Sequence, residues 1–403
     1  MAARRYLLLT LVVVAVMLHG SLYPYDFARP PGGIGPVATL FASWKKLGTS
    51  YGDIATNILL YVPFGFLLAL AIPRGRKSRI LLVAVAGLVL CTSVELAQYY
   101  DAGRDDSMSD VYFNTCGSVL GAVAAVVLGD LSRYLPLREM AAKPMPVLLL
   151  VAMLGYHLYP YVPTIDLHKY WHALRPLIVA PHASPHDILR YVALWLTTSC
   201  LIGSVVGVER SRIAAALFMA LVFAAKVAII RLIVTPAEAI GAAITLMLWI
   251  AVGHRPRLAA LLTAAVLCIS IVVGRLQPFD FLTEARPFGW LPFRSFLYGS
   301  LSVNIMSMLE KLFLYGSLVW LAAEALLPLW LATLSVALLL LATSVAETYL
   351  PGRSAEITDA LMVVMIGLVI SAFRHQTPRS SPPGRRRRRA ARRARPAKSG
   401  QEI

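Results

Sequence analysis

The charged residues of this chain recur in an ordered pattern. Thr92-Ser93-Val94-Glu95 is followed by Gln98, Arg104, Asp110 and Asn114. Near the far end, Thr343-Ser344-Val345-Ala346-Glu347 is followed by Arg353 and Asp359. Two carboxylates flanking an arginine could do three kinds of work. They could fasten two helices, the aspartate accepting from free backbone N–H groups at a helix start. The arginine could hold a phosphate in its forked geometry. One carboxyl, its pKa raised by burial, could act as an acid–base catalyst. Ser93 lies near Glu95 but has no paired histidine, so there is no signature of an activated nucleophile. The middle of the chain departs from the pattern and carries Lys226, Arg231 and Glu238 instead.

Further polar residues stand in apolar surroundings: Asp53 and Asn57, then Asp187 and Arg190, then Asn304, Glu310 and Lys311. Lys226 and Lys311 either snorkel to headgroups or face inward and pair with Glu95 or Glu347. The swap of sign at Lys226 favours pairing. His168, His172, His182 and His186 make two His-x3-His pairs. That spacing puts two imidazoles on one helix face, as some zinc sites need. Pro181 and Pro185 interrupt the second pair, so solvated loop histidines are the expectation, with no metal and no other cofactor.

These residues sit in a chain that must lie mostly in lipid. Of its 403 residues 58% are hydrophobic and 15% charged, against about 25% charged in a typical soluble chain. The four cysteines all lie inside apolar runs, which suits packing in helices rather than disulfides or metal ligands. A spanning helix needs about 20 mostly apolar residues. Candidate runs are 6–22, 54–72, 80–98, 109–129, 145–160, 187–207, 212–232, 236–253, 258–275, 305–324, 328–348 and 357–373.

A short motif divides those runs into three groups of four. Tyr23-Pro24-Tyr25-Asp26-Phe27 returns as Gln277-Pro278-Phe279-Asp280-Phe281, and more weakly as Tyr159-Pro160-Tyr161-Val162-Pro163. Each copy ends an apolar run and opens a long loop rich in Pro, Gly and aromatics, at 23–53, 161–186 and 276–304. Four helices return the chain to its starting side, so the copies share one orientation. The short loops between the other runs carry Arg74, Arg76, Lys77, Arg79, Arg210, Arg212, Arg255 and Arg257. Basic loops face the cytoplasm, which puts both termini inside and the long loops outside. One polar cluster is then expected to open outward beneath the aromatic loops, with Asp26 and Asp280 as candidate members. The tail beyond 374 is Pro-, Ser- and Arg-rich and is expected to be disordered. Its run from Arg385 to Arg389 suits anionic inner-leaflet lipid rather than nucleic acid.

A family resemblance rests on particular residues. Asn57-Ile58-Leu59-Leu60-Tyr61-Val62-Pro63-Phe64-Gly65-Phe66, Ser93-Val94-Glu95-Leu96-Ala97-Gln98, Arg104, and Ser109-Asp110 with Asn114-Thr115-Cys116-Gly117 resemble the VanZ-like membrane family. The likeness is fullest over 14–130, less full over 259–373 and least over 145–253. It implies repeats at 1–130, 145–253 and 258–373, and a bacterial cell-envelope setting. The family takes its name from a protein associated with glycopeptide resistance, and the resemblance implies no particular reaction. Met308 stands where the first copy has Asn57, and the middle copy lacks the glutamate. The first copy is therefore the expected seat of any activity that needs the full pattern.

The expected protein is thus all-α and polytopic, in the bacterial inner membrane. Its leading function is to bind, and move, a lipid, a lipid-linked envelope precursor or a glycopeptide-like compound at an outward pocket. An intramembrane enzyme using Glu95 and Asp110, and a scaffold for envelope enzymes, are the alternatives.

Overall fold

In the computed structural model each of the twelve apolar runs is a helix. The structure describes residues 2–23, 25–28, 34–45, 51–73, 75–101, 107–134, 143–179, 183–297 and 300–374. The long helices are α1 (Ala2–Leu22), α2 (Tyr51–Ala71), α3 (Arg76–Gln98), α4 (Met108–Tyr134), α5 (Pro144–His157), α6 (Pro185–Val206), α7 (Val208–Ala228), α8 (Pro236–Val252), α9 (Pro256–Leu276), α10 (Leu301–Ala325), α11 (Leu329–Ala346) and α12 (Thr358–Arg374). By length and composition, eight contain a stretch long and apolar enough to cross a membrane. The apolar stretches Thr56–Ala71, Pro144–His157, Pro236–Val252 and Thr358–Phe373 are shorter. No strand is present among the described residues; isolated bridges tie loops to helix ends. This is a polytopic helical membrane protein.

Local chemistry sets several helix starts. At α8 the Thr235 side chain accepts from the Glu238 backbone N–H at 3.2 Å, with Pro236 in the first turn. Ser184 does the same for Asp187 at α6, at 3.1 Å. A hydroxyl cap followed by proline is a strong start signal, because proline has no N–H to leave unpaired. Helix α7 stops at Ala228, short of the expected 232. There the chain turns to pair with the loop after α5: Thr164 donates to the Ala228 carbonyl and Ile230 to that of Val162.

The repeated motif forms the same turn three times. Tyr25, Tyr161 and Phe279 each donate a backbone N–H to the residue three back, Leu22, Leu158 and Leu276, at 2.8, 3.0 and 2.9 Å. All three have positive φ, at 67°, 61° and 66°, an uncommon conformation for a bulky side chain. Three residues further on, Ala28, Thr164 and Leu282 donate to Tyr100, Ala228 and Tyr349. Each turn is thereby tied to the end of the third helix of its own group. We call the end of the molecule that bears these turns the turn end.

Packing differs between the groups. In the first, α2 and α4 cross closely: a Cβ on Gly65 would overlap the Ser118 carbonyl, and one on Gly117 the carbonyl of Ile58. Small residues let helix backbones approach in lipid. The last group lacks that crossing. There Gly316 of α10 faces the Leu149 side chain of α5. The largest core cluster accordingly spans α5 to α12, with Trp195, Leu267 and Phe313 among its buried members. The loop helix Leu167–Val179 packs against α7, and its Lys169 Nζ donates to the carbonyls of Lys226, Val227 and Leu232. Burial lowers the pKa of Lys169. All four cysteines are free thiols.

Candidate functional site

The charged residues gather at the turn end, in three places rather than one. In the last group Arg275, in the final turn of α9, joins the acids of two other helices. Its Nη2 donates to Glu347 Oε2 at 2.9 Å and to Ser344 Oγ at 2.8 Å. Its Nη1 donates to Asp359 Oδ2 and, at 2.9 Å, to the Tyr315 hydroxyl. Lys311 Nζ reaches the other Asp359 oxygen at 2.7 Å. Glu347 and Asp359 are both buried, and two buried carboxylates repel unless a cation neutralises them. Arg275 with Lys311 supplies that charge.

The middle group solves the same problem with opposite signs. Glu238, fully buried in the first turn of α8, is bound on one oxygen by Lys226 of α7 and on the other by His157 of α5, the latter at 2.8 Å. Here the third-helix residue is itself the cation, so no bridging arginine is required. His157 and Arg275 occupy the same place, two residues before the motif.

In the first group the acids' contacts among the described residues include two with neutral groups. Asn57 donates to Asp110 Oδ1 at 2.8 Å, a bond from second helix to fourth that Lys311–Asp359 repeats. Lys311 lies one turn beyond Met308, the position aligned with Asn57, and its longer side chain spans the difference. Glu95, 2% exposed, accepts from the Ser107 backbone N–H at 2.8 Å. Gln98 donates to the Ser21 carbonyl, and Asn114 is buried with its side-chain oxygen unpartnered. Arg104, the cation offered by the sequence for Glu95 and Asp110, lies outside the described residues, as does the side chain of Asp53.

A cavity of ≈ 570 Å³ opens between α5, α6, α9 and α10. Its walls carry four cations, Arg190, Arg275, Lys311 and Arg353, against three carboxylates, Glu310, Glu347 and Asp359. His157 and His186 also line it, bringing the Lys226–Glu238 pair to its edge. Arg190 of α6 pairs with Glu310 of α10 at 3.1 Å across the seam. Arg353 is exposed and makes no ion pair among the described residues. Its Nη2 donates to the Gly274 and Gln277 carbonyls, at 3.0 and 2.9 Å, which suits a cation at the end of α9.

Several expectations are corrected. Lys226 pairs with Glu238, not with Glu95 or Glu347, because the fourth helix of its own group lies closer than either. Lys311 pairs with Asp359 rather than Glu347. Arg353 does not bridge Glu347 and Asp359; Arg275 does. The side chains of Asp26 and Asp280 are exposed and line no part of the cavity. Asp26 contributes its backbone N–H to the buried Asp101. His168 and His172 lie one turn apart on the exposed face of a loop helix, ring centroids 5.8 Å apart. His186 stands apart in the cavity, His182 is outside the described residues, and these residues hold no three-ligand metal group. The arginines from Arg385 to Arg389 also lie outside the described residues.

Arg275, Tyr315 and His157 were the residues whose role the sequence did not disclose. The one available signal was the position two before the motif, occupied by His157 and then Arg275.

The fold and site define a multi-pass helical membrane protein with ion-paired residues clustered at one end. Within it, residues 6–129 match the VanZ/LLP1 family model, so the first four-helix group is VanZ-like. That match covers less than a third of the 403 residues. No curated protein and no solved structure matches the chain.

Proposed function

We propose that the protein binds an anionic, phosphate-bearing group in the cavity between α5, α6, α9 and α10. A lipid headgroup or a lipid-linked envelope precursor carries that chemistry. One observation carries the reading: Arg353 reaches the cavity with no carboxylate partner, beside three further cations that hold the walls. A guanidinium anchored through one nitrogen keeps further donors for phosphate oxygens. Four cations against three carboxylates leave the site one positive charge in excess, before its histidines are counted.

The reading includes a topology. The twelve helices form three four-helix repeats of one orientation in a bacterial inner membrane, with both termini cytoplasmic and the turn end outside. The thrice-repeated turn and the basic short loops at the other end support it. The Arg-rich tail then lies against anionic inner-leaflet lipid.

The test is mass spectrometry of lipids retained by the purified full chain. Anionic phospholipid should co-purify with it and be lost from Arg353→Ala and Arg190→Ala. Retention of the same lipid by both variants, or no anionic lipid on the parent protein, would rule the site out.

A further inference from the structure

A second cavity, of ≈ 400 Å³, lies at the opposite end of the same helices. Lys143 at the start of α5, Cys200 and Ser204 of α6, Ala260 of α9 and Trp320 of α10 line it. The four helices that enclose the turn-end cavity therefore also reach this one. Its charged lining is Lys143 and Arg257 against Glu324, again one positive charge in excess.

The two cavities come close. On α6 the turn-end cavity reaches Leu194 and the other begins at Cys200, about 9 Å of helix at 1.5 Å per residue. On α10 they reach Tyr315 and Trp320, about 8 Å apart on the same scale. On α9 the gap is wider, from Ala260 to Ser270, about 15 Å, so the closed layer takes up between about a quarter and a half of a hydrocarbon core about 30 Å thick. The layer between is closed by Trp195, Leu267, Phe313 and their neighbours, all fully buried.

That layer is not made as a permanent apolar seal would be. Thr197 of α6 and Ser317 of α10 are fully buried in it, and their hydroxyls have no hydrogen-bond partner. The Trp195 indole N–H is likewise unpartnered. Leaving such a group unpaired is unfavourable, and buried polar groups are nearly always satisfied. An arrangement in which the two cavities join would give them water or a polar cargo to bond.

We infer that α5, α6, α9 and α10 form a translocation pathway for an anionic phosphate-bearing group, closed here by the layer around Trp195. Thr197 and Ser317 line the pathway when it opens. The Arg190–Glu310 pair ties α6 to α10 at the turn end, and the Lys143 Nζ to Ser204 carbonyl bond ties α5 to α6 at the other. Opening each end breaks one tie. The nature of the cargo rests on the binding reading above; the pathway does not.

Purified full-length protein in phosphatidylcholine vesicles tests this in two arms. One follows fluorescent phosphatidylglycerol crossing the bilayer, by quenching with external dithionite, with fluorescent phosphatidylcholine as control. The other follows uptake of radiolabelled inorganic phosphate. Flux of phosphatidylglycerol alone assigns a lipid headgroup, and uptake of phosphate assigns a free anion. In either case Ser317→Leu should slow the flux at least about tenfold while leaving lipid retention intact.

Cysteine labelling does not depend on choosing the right cargo. In a background with the four native cysteines changed to alanine, Thr197→Cys and Ser317→Cys should react with a membrane-impermeant anionic thiosulfonate. Ala122→Cys, in the core of the first group, should not. Absence of both fluxes together with unreactive Thr197→Cys and Ser317→Cys overturns the pathway. The binding reading would survive that outcome if Arg353→Ala still released the co-purifying lipid.

Discussion

The first four-helix group and the last carry the same acids and do different things with them. In α1–α4 the glycines draw α2 onto α4, and Asp110 accepts from the neutral Asn57. In α9–α12 the corresponding glycine, Gly316, instead lets α10 lean on α5. A cavity opens on that seam, and the equivalent aspartate is held by Arg275 and Lys311. The difference lies in the packing: α2 and α4 are in close contact, whereas Glu347 and Asp359 line a cavity and are held there by cations. The segment that matches the VanZ/LLP1 family model is the closely packed one; the cavity belongs to the rest of the chain.

The largest effect should come from Glu238. Glu238→Gln leaves Lys226 buried without its counter-charge, and breaking a buried pair typically costs about 3–5 kcal/mol. Thermal unfolding in detergent should show it as the steepest single loss. Lys226→Glu should be comparably harmful, and the exchange Lys226→Glu with Glu238→Lys should recover part of the yield. Lys226→Glu combined with Glu347→Lys should recover none. Rescue by Glu347→Lys instead would place the pairing between groups rather than within one.

Arg275→Met comes next and sharpens the contrast directly. It removes the charge between Glu347 and Asp359, with Lys311 left to hold only one of them. Stability should fall by about 3 kcal/mol at neutral pH, the lower end for a broken buried pair. Removing Asp359 as well, as Arg275→Met with Asp359→Asn, should restore part of the loss. No restoration in the double variant would show that Arg275 acts by packing.

In the first group the comparable damage should come from packing. Gly117→Ala forces a Cβ onto the Ile58 carbonyl, and such overpacking costs about 1–3 kcal/mol. Gly129→Ala, whose Cβ meets nothing within 4 Å, should be neutral in the same unfolding assay. Equal effects at the two positions would contradict the close α2–α4 crossing.

Much of this could be read from the residues. Apolar runs of the right length became helices, and Tyr25, Tyr161 and Phe279 marked the turn that ties each group together. The acids Glu95, Asp110, Glu238, Glu347 and Asp359 were also found, since a carboxylate in an apolar run is conspicuous. Their partners were harder. Arg275 looks like a loop-edge arginine, and only the packing of α9 against α10 and α12 brings it inward. The seam itself left no local trace, because Gly65 and Gly316 stand in similar sequence yet face different helices. Which helix a glycine meets is decided by the whole bundle.

The smallest effect separates binding from structure most cleanly. Asn57→Ala and Lys311→Ala remove equivalent bonds to Asp110 and Asp359. Each should lower stability only modestly, by about 1 kcal/mol for the neutral bond and somewhat more for the charged one. Lipid retention should divide them. Asn57 lies outside the cavity, so Asn57→Ala should keep the anionic lipid of the parent protein. Lys311 lines it, so Lys311→Ala should lose that lipid along with Arg353→Ala. If Asn57→Ala releases the lipid and Lys311→Ala keeps it, the binding site belongs to the VanZ-like group. The seam would then be a structural gap, and the two regions would exchange the roles argued for them.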